Sequence, residues 1–96
     1  MRSEFLTAAQ AELDEGFEYY ESLQPDLGFR FVSEIKKAVS RIESHPKAWH
    51  PLGKNTKRCL VNGFPYGLIY QLREEFILVV AVANLHRKPG YWKDRL

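Results

Sequence analysis

A single cysteine, Cys59, rules out an internal disulfide, and no Cys/His group has the spacing of a metal site. A reducing cytoplasm is the compartment that fits. Long apolar runs are also missing: Phe76 to Ala83 is far too short to span a bilayer, and the stretch from Met1 to Glu15 carries acids where a secretory signal needs an apolar core. Neither export nor a membrane anchor is expected. There is no G-x-S-x-G elbow, no P-loop and no G-x-G-x-x-G turn, so hydrolase and kinase readings fall away and any phosphate must be held by side chains. The sequence calls for no cofactor and no metal, and it has no internal repeat.

What is present suits one domain over residues 1–96, because a chain of 96 residues cannot divide its core in two. The apolar share of 45% is too high for a disordered chain. The formal charge of +2 hides a division between the halves. Residues 1–46 carry five Lys/Arg against nine Asp/Glu, whereas residues 47–96 carry nine against three. Such asymmetry points to a charged partner, or simply to a helical half that is acidic.

The acidic half reads as an antiparallel helix hairpin. Thr7 and Gln10 have the spacing of a capping box, so the first helix starts near Thr7. Ala9, Leu13, Phe17 and Tyr20 form its core stripe and leave Glu12, Glu15, Glu18 and Glu21 mostly to water. Pro25 suits the first turn of a second helix, which Gly28 weakens slightly. Phe31, Ile35, Ala38 and Ile42 then make an apolar stripe that ends at His45-Pro46.

The basic half reads as strands. Lys47 to Asn55 has no period and is predicted as a loop; Lys57–Asn62, Tyr66–Leu72 and Phe76–Ala83 follow as an antiparallel meander, the last strand being apolar on both faces. Phe5 and Leu6 suit one more short edge strand. The expected fold class is α+β: a helix hairpin packed on a three- to four-stranded antiparallel sheet, with a short basic and aromatic C-terminal segment.

That segment, His86 to Leu96, directly follows the most apolar strand and concentrates the candidates for function. His86 suits a general acid or base, or a hydrogen-bonding spacer at a strand end. Tyr91 and Trp92 suit stacking on a partner or covering the open end of the sheet. Lys47, Lys54, Lys57 and Arg58 from the loop and strand entry, with Arg87, Lys88, Lys93 and Arg95 from the C-terminus, suit an anionic surface if the meander brings them to one end.

The order of two helices and a meander, together with the F-P-Y-x-x-x-Y pattern at Phe64, Pro65, Tyr66 and Tyr70 and the H-R-K-P-x-Y-W pattern at His86 to Trp92, resembles the RelE/ParE superfamily of bacterial type II toxins. The resemblance covers essentially the whole chain. It implies a cognate antitoxin whose disordered tail folds on binding, and one of two mechanisms. Members similar to RelE cut messenger RNA on the ribosome, a role in which His86, Arg87 and Tyr91 would be the catalytic residues. Members similar to ParE bind and block DNA gyrase without chemistry of their own. The resemblance places a catalytic Arg of the nucleases where this chain has Gly67, which favours the gyrase mechanism. Lys54, Lys57, Arg58, Arg87, Lys88, Trp92, Lys93 and Arg95 are then the expected target contacts. A non-toxic protein-binding or nucleic-acid-binding relative is the remaining reading.

Overall fold

A computed structural model describes residues 1–96. Its elements are β1 (Arg2–Phe5), α1 (Thr7–Leu23), α2 (Leu27–Ser44), β2 (His50–Gly53), β3 (Thr56–Leu60), β4 (Tyr66–Leu72), β5 (Phe76–Asn84) and a C-terminal 3₁₀ turn at Tyr91–Arg95. The α+β expectation of a helix hairpin on a sheet is met, but the sheet has five strands in the order β1-β5-β4-β3-β2 and is mixed. β1 pairs parallel with β5, Arg2 facing Phe76 and Phe5 facing Val79. The segment read as a loop contains β2, which pairs antiparallel with β3. Four residues that include Pro51 and Gly53 carry little strand signal of their own, and it is pairing with β3 that extends them.

The first helix starts at Thr7, yet no capping box forms. Leu6, not Thr7, stands at the cap position, and its N–H is already bonded at 3.0 Å to the carbonyl of Val79. Gln10 turns instead to Asp14. Pro25 likewise lies before the second helix, whose cap residue Asp26 adopts a left-handed φ of 72°. The missing cap is supplied from the preceding helix: the Glu21 carboxylate accepts the backbone N–H of Asp26 at 3.0 Å and of Gly28 at 2.9 Å. A carboxylate there satisfies free helix donors and complements the dipole, so Glu21 is not simply a solvated charge.

Gly28 is where the two helices touch. A Cβ at this position would stand 2.6 Å from the carbonyl oxygen of Phe17, a backbone atom that cannot turn aside. The residue that weakens the helix locally is therefore what lets the hairpin close. One core fills the space between hairpin and sheet. Phe31, Ile35, Ala38 and Ile42, as the periodicity predicts, pack with Cys59, Leu68, Tyr70, Ile77, Val79 and Val82. A second, smaller cluster lies on the other sheet face, where Trp92 packs with Ile69, Val80, Ala81 and Ala83. Both faces of β5 are covered, which is why its sequence is apolar without alternation. The ladder with β4 jumps from Ile69–Ala81 to Tyr70–Val79, leaving Val80 as a bulge.

Two expected outcomes follow from this packing. Gly28→Ala should destabilise the chain by about 1–3 kcal/mol through overpacking, while Gly53→Ala, whose added Cβ meets nothing within 4 Å, should be close to neutral; denaturant unfolding reads both. The buried Tyr70 hydroxyl donates to the Pro46 carbonyl at 2.6 Å, and burial pushes its pKa up to about 12. Because the folded pKa exceeds the unfolded value of about 10, this stability is intact below pH 10 and is lost as pH rises towards about 12. Unfolding measured between about pH 9 and 12 should show that loss, with a smaller one in Tyr70→Phe.

Candidate functional site at the end of β5

The C-terminal segment reaches its place through a tight reversal after β5. The Asn84 side-chain oxygen accepts the His86 N–H at 2.9 Å, and its backbone carbonyl accepts that of Arg87. The chain then turns back over the sheet face away from the helices and inserts Trp92, only 7% exposed, against Ile69 and Ala81. Of the two readings for that ring, burial decides for covering the core. Trp92 is not a free contact surface, because its apolar area is already spent on the sheet.

The segment is fastened by one carboxylate. Glu12, on α1, has a side chain only 10% exposed and accepts hydrogen bonds from the Arg95 guanidinium at 2.8 and 3.0 Å, from the Tyr91 hydroxyl, and from the Val82 N–H at 3.0 Å. Arg87 lies 3.4 Å away and stacks its guanidinium 3.7 Å over the Tyr91 ring. The expectation that Glu12 faces water is overturned. It stands three residues after Ala9 and four before Gly16, both buried, so it shares the inward stripe of the helix. That spacing was the available signal.

These bonds complete an unfinished strand edge. β1 covers β5 only from Phe76 to Val79, and beyond it the Val80 carbonyl accepts Arg95 at 3.1 Å while the Val82 N–H goes to Glu12. Two side chains stand in for a missing strand and satisfy backbone groups that burial would otherwise leave unpaired. The arrangement also fixes the state of Tyr91. Burial raises its pKa well above the ordinary phenol range, the bond to Glu12 and that carboxylate's charge add to the rise, and Arg87 and Arg95 oppose it only in part. Tyr91 is thus a neutral donor at physiological pH.

The candidates fall into separate places. Arg58, Arg87 and Lys88 come together around a groove of about 140 Å³ whose floor includes Leu52, Ile69, Leu85 and Trp92. Gly67 shapes it, because the Arg58 stem lies 3.0 and 3.1 Å from where a Cβ on Gly67 would stand. Arg58 crosses the position the resemblance assigned to a catalytic Arg. Lys57 pairs with Tyr70, and strand alternation turns it from Arg58 toward the helix side. Lys54 precedes Thr56, which pairs with Gln71, so the register puts it at the opposite end of the sheet from Arg87. Lys47 is exposed in the segment before β2. His86, Lys88 and Lys93 are exposed, while Arg95 is committed to Glu12. The basic residues do not gather as one patch; Arg58, Arg87 and Lys88 do.

A family model described as the ParE toxin of the type II toxin–antitoxin system, parDE, matches residues 4–89. The chain belongs to that family. Among solved structures, this ParE-family chain is similar to one from the chromosomal ParDE toxin–antitoxin system of P. aeruginosa, with a TM-score of 0.78, 16% identity, and coverage of 90% of this chain and 97% of that one. At that identity the likeness concerns the fold. No curated protein matches the sequence. The matched span of the ParE family ends at Pro89, so Tyr91, Trp92 and Arg95 lie beyond it.

Glu12→Gln should loosen the C-terminal turn and destabilise this ParE-family chain by about 2–4 kcal/mol, because it leaves the half-buried Arg95 without its counter-charge. Calorimetry reads the loss, and a red-shifted Trp92 emission would mark the ring leaving the sheet.

Proposed function

We propose that this type II toxin arrests growth by binding DNA gyrase, and that a cognate antitoxin with a disordered tail neutralises it in the cytoplasm. The observation that carries the reading is the state of the groups a nuclease would need. Tyr91 keeps its proton and uses it in a hydrogen bond to Glu12, and Gly67 offers no side chain to a developing phosphorane. What stays available is a surface: Arg58, Arg87 and Lys88 around an apolar floor, with Leu85 exposed at 44%. Cations rimming apolar area suit a protein contact, with charge steering the encounter and the apolar centre holding the complex.

Ribosome-dependent cleavage of messenger RNA, with His86 and Arg87 in catalytic roles and Tyr91 freed from Glu12, is the competing mechanism. The two separate when the chain is expressed in bacteria without antitoxin while growth, plasmid supercoiling and messenger RNA are followed together. Gyrase inhibition predicts arrest with loss of negative supercoiling and intact messages, whereas codon-linked cleavage would reverse the choice. Continued growth would refute both.

Arg87→Ala is the informative variant. Its side chain is 55% exposed and its contact with Glu12 is long, so stability should fall by no more than about 1 kcal/mol while the arrest is lost. Trp92→Ala should instead destabilise the fold by about 3–5 kcal/mol, and its loss of toxicity would say nothing about contact.

A further inference from the structure

A second groove, of about 500 Å³, opens at the far edge of the sheet, lined by Arg41, Trp49, His50, Arg58, Leu60 and Asn62. The fold leaves it there for the reason that governs β5. β2 pairs with β3 only from Thr56 to Arg58, so at Leu60 the β3 edge has lost its neighbour. Arg41, from the last turn of α2, reaches down and donates to the Leu60 carbonyl at 3.1 Å. One guanidinium nitrogen is used in this way.

The groove holds an excess of donors and no acid. The four ion pairs of the structure are Arg2–Glu4, Lys37–Glu34, Arg87–Glu12 and Arg95–Glu12, so neither Arg41 nor Arg58 has a carboxylate partner. The buried side-chain nitrogens left without any hydrogen-bond partner are Trp49 Nε1 and Arg58 Nε, and the two residues that carry them line this same groove. Orphaned buried donors are rare in folded proteins, and here the residues that carry them flank the β3 edge, Trp49 packed on the helix-side core and Arg58 on the opposite face. Two guanidinium groups with no carboxylate partner favour an anionic ligand at this edge.

We propose that this edge groove binds a phosphate-class oxyanion. Donor-bearing residues line it from α2, from the segment before β2, from β3 and from the turn after it, so an acceptor with oxygens in several directions fits better than a planar carboxylate. Neither residue with an orphan donor forms part of the lock around Glu12. Arg58 also borders the groove beside Arg87, but the readout here is anion binding and needs no toxicity, so its failure and that of the gyrase reading are distinguishable.

The chain has two tryptophans, so the Trp49 indole N–H is a resolved NMR reporter and Trp92 its internal control. Titrating the full chain with inorganic phosphate at constant ionic strength should shift the Trp49 signal saturably and leave that of Trp92 in place. Arg58→Gln, which keeps the stem over Gly67 and removes the charge, should weaken binding about tenfold or more. If that variant does not fold, calorimetry on Trp49→Phe, which loses one donor and keeps a ring, should show the same direction. A nucleoside monophosphate and a short oligonucleotide form the remaining arms. Equal affinity for both assigns the site to free phosphate esters, and much tighter oligonucleotide binding assigns it to a nucleic-acid backbone. A Trp49 signal that stays fixed, moves equally with chloride, or responds only to an acidic peptide overturns the proposal.

Discussion

The Glu12 carboxylate is the interaction on which the candidate functional end of the molecule depends. It joins α1, the free edge of β5 and the C-terminal turn, and it does so with both oxygens occupied by Arg95, Tyr91 and the Val82 N–H. A charge so little exposed is tolerable only because each lone pair is satisfied and a cation lies against it. Its consequences reach outward. Tyr91 is fixed as a neutral donor, Arg87 is stacked on the Tyr91 ring, and Trp92 is held down on Ile69 and Ala81. The groove beside Arg58 exists because this turn stays closed.

Unequal strand lengths explain why side chains take on such work. Both edge strands, β1 and β2, are four residues long and pair with longer neighbours. Each neighbour therefore runs past its partner. On one side Glu12 and Arg95 meet the exposed backbone of β5, and on the other Arg41 meets that of β3. Exposed edges invite pairing with other chains, and charged side chains laid along them block it. The same device gathers cations and donors at both ends, which is where the candidate contact surface and the donor-rich groove are found.

Much of this was legible in the chain. The Tyr66–Leu72 strand, the α2 stripe and the weight of the C-terminal segment follow from periodicity and composition, and the pairing of F-P-Y-x-x-x-Y with H-R-K-P-x-Y-W resembled the superfamily to which the family match assigns the chain. The misreadings share one cause. Thr7, Pro25 and Glu12 were assigned by local rules, and in each case a partner outside the local pattern overrode them: the distant Val79 carbonyl took the Leu6 N–H, Glu21 of the preceding helix took the cap, and the distant Arg95 took Glu12.

The sequence by itself determined which elements form and which faces they bury, because 3.6-residue and two-residue periodicities are properties of neighbouring residues along the chain. Only the tertiary structure decided which charges are free. Arg87 and Arg95 are indistinguishable as residue types eight positions apart, yet the turn at Asn84 leaves one half in solvent with a single long contact to Glu12, while the reversal of the chain seats the other on both oxygens of that carboxylate, 83 residues away. Electrostatic character depends on distance and burial, and those are fixed only once the chain has closed on itself.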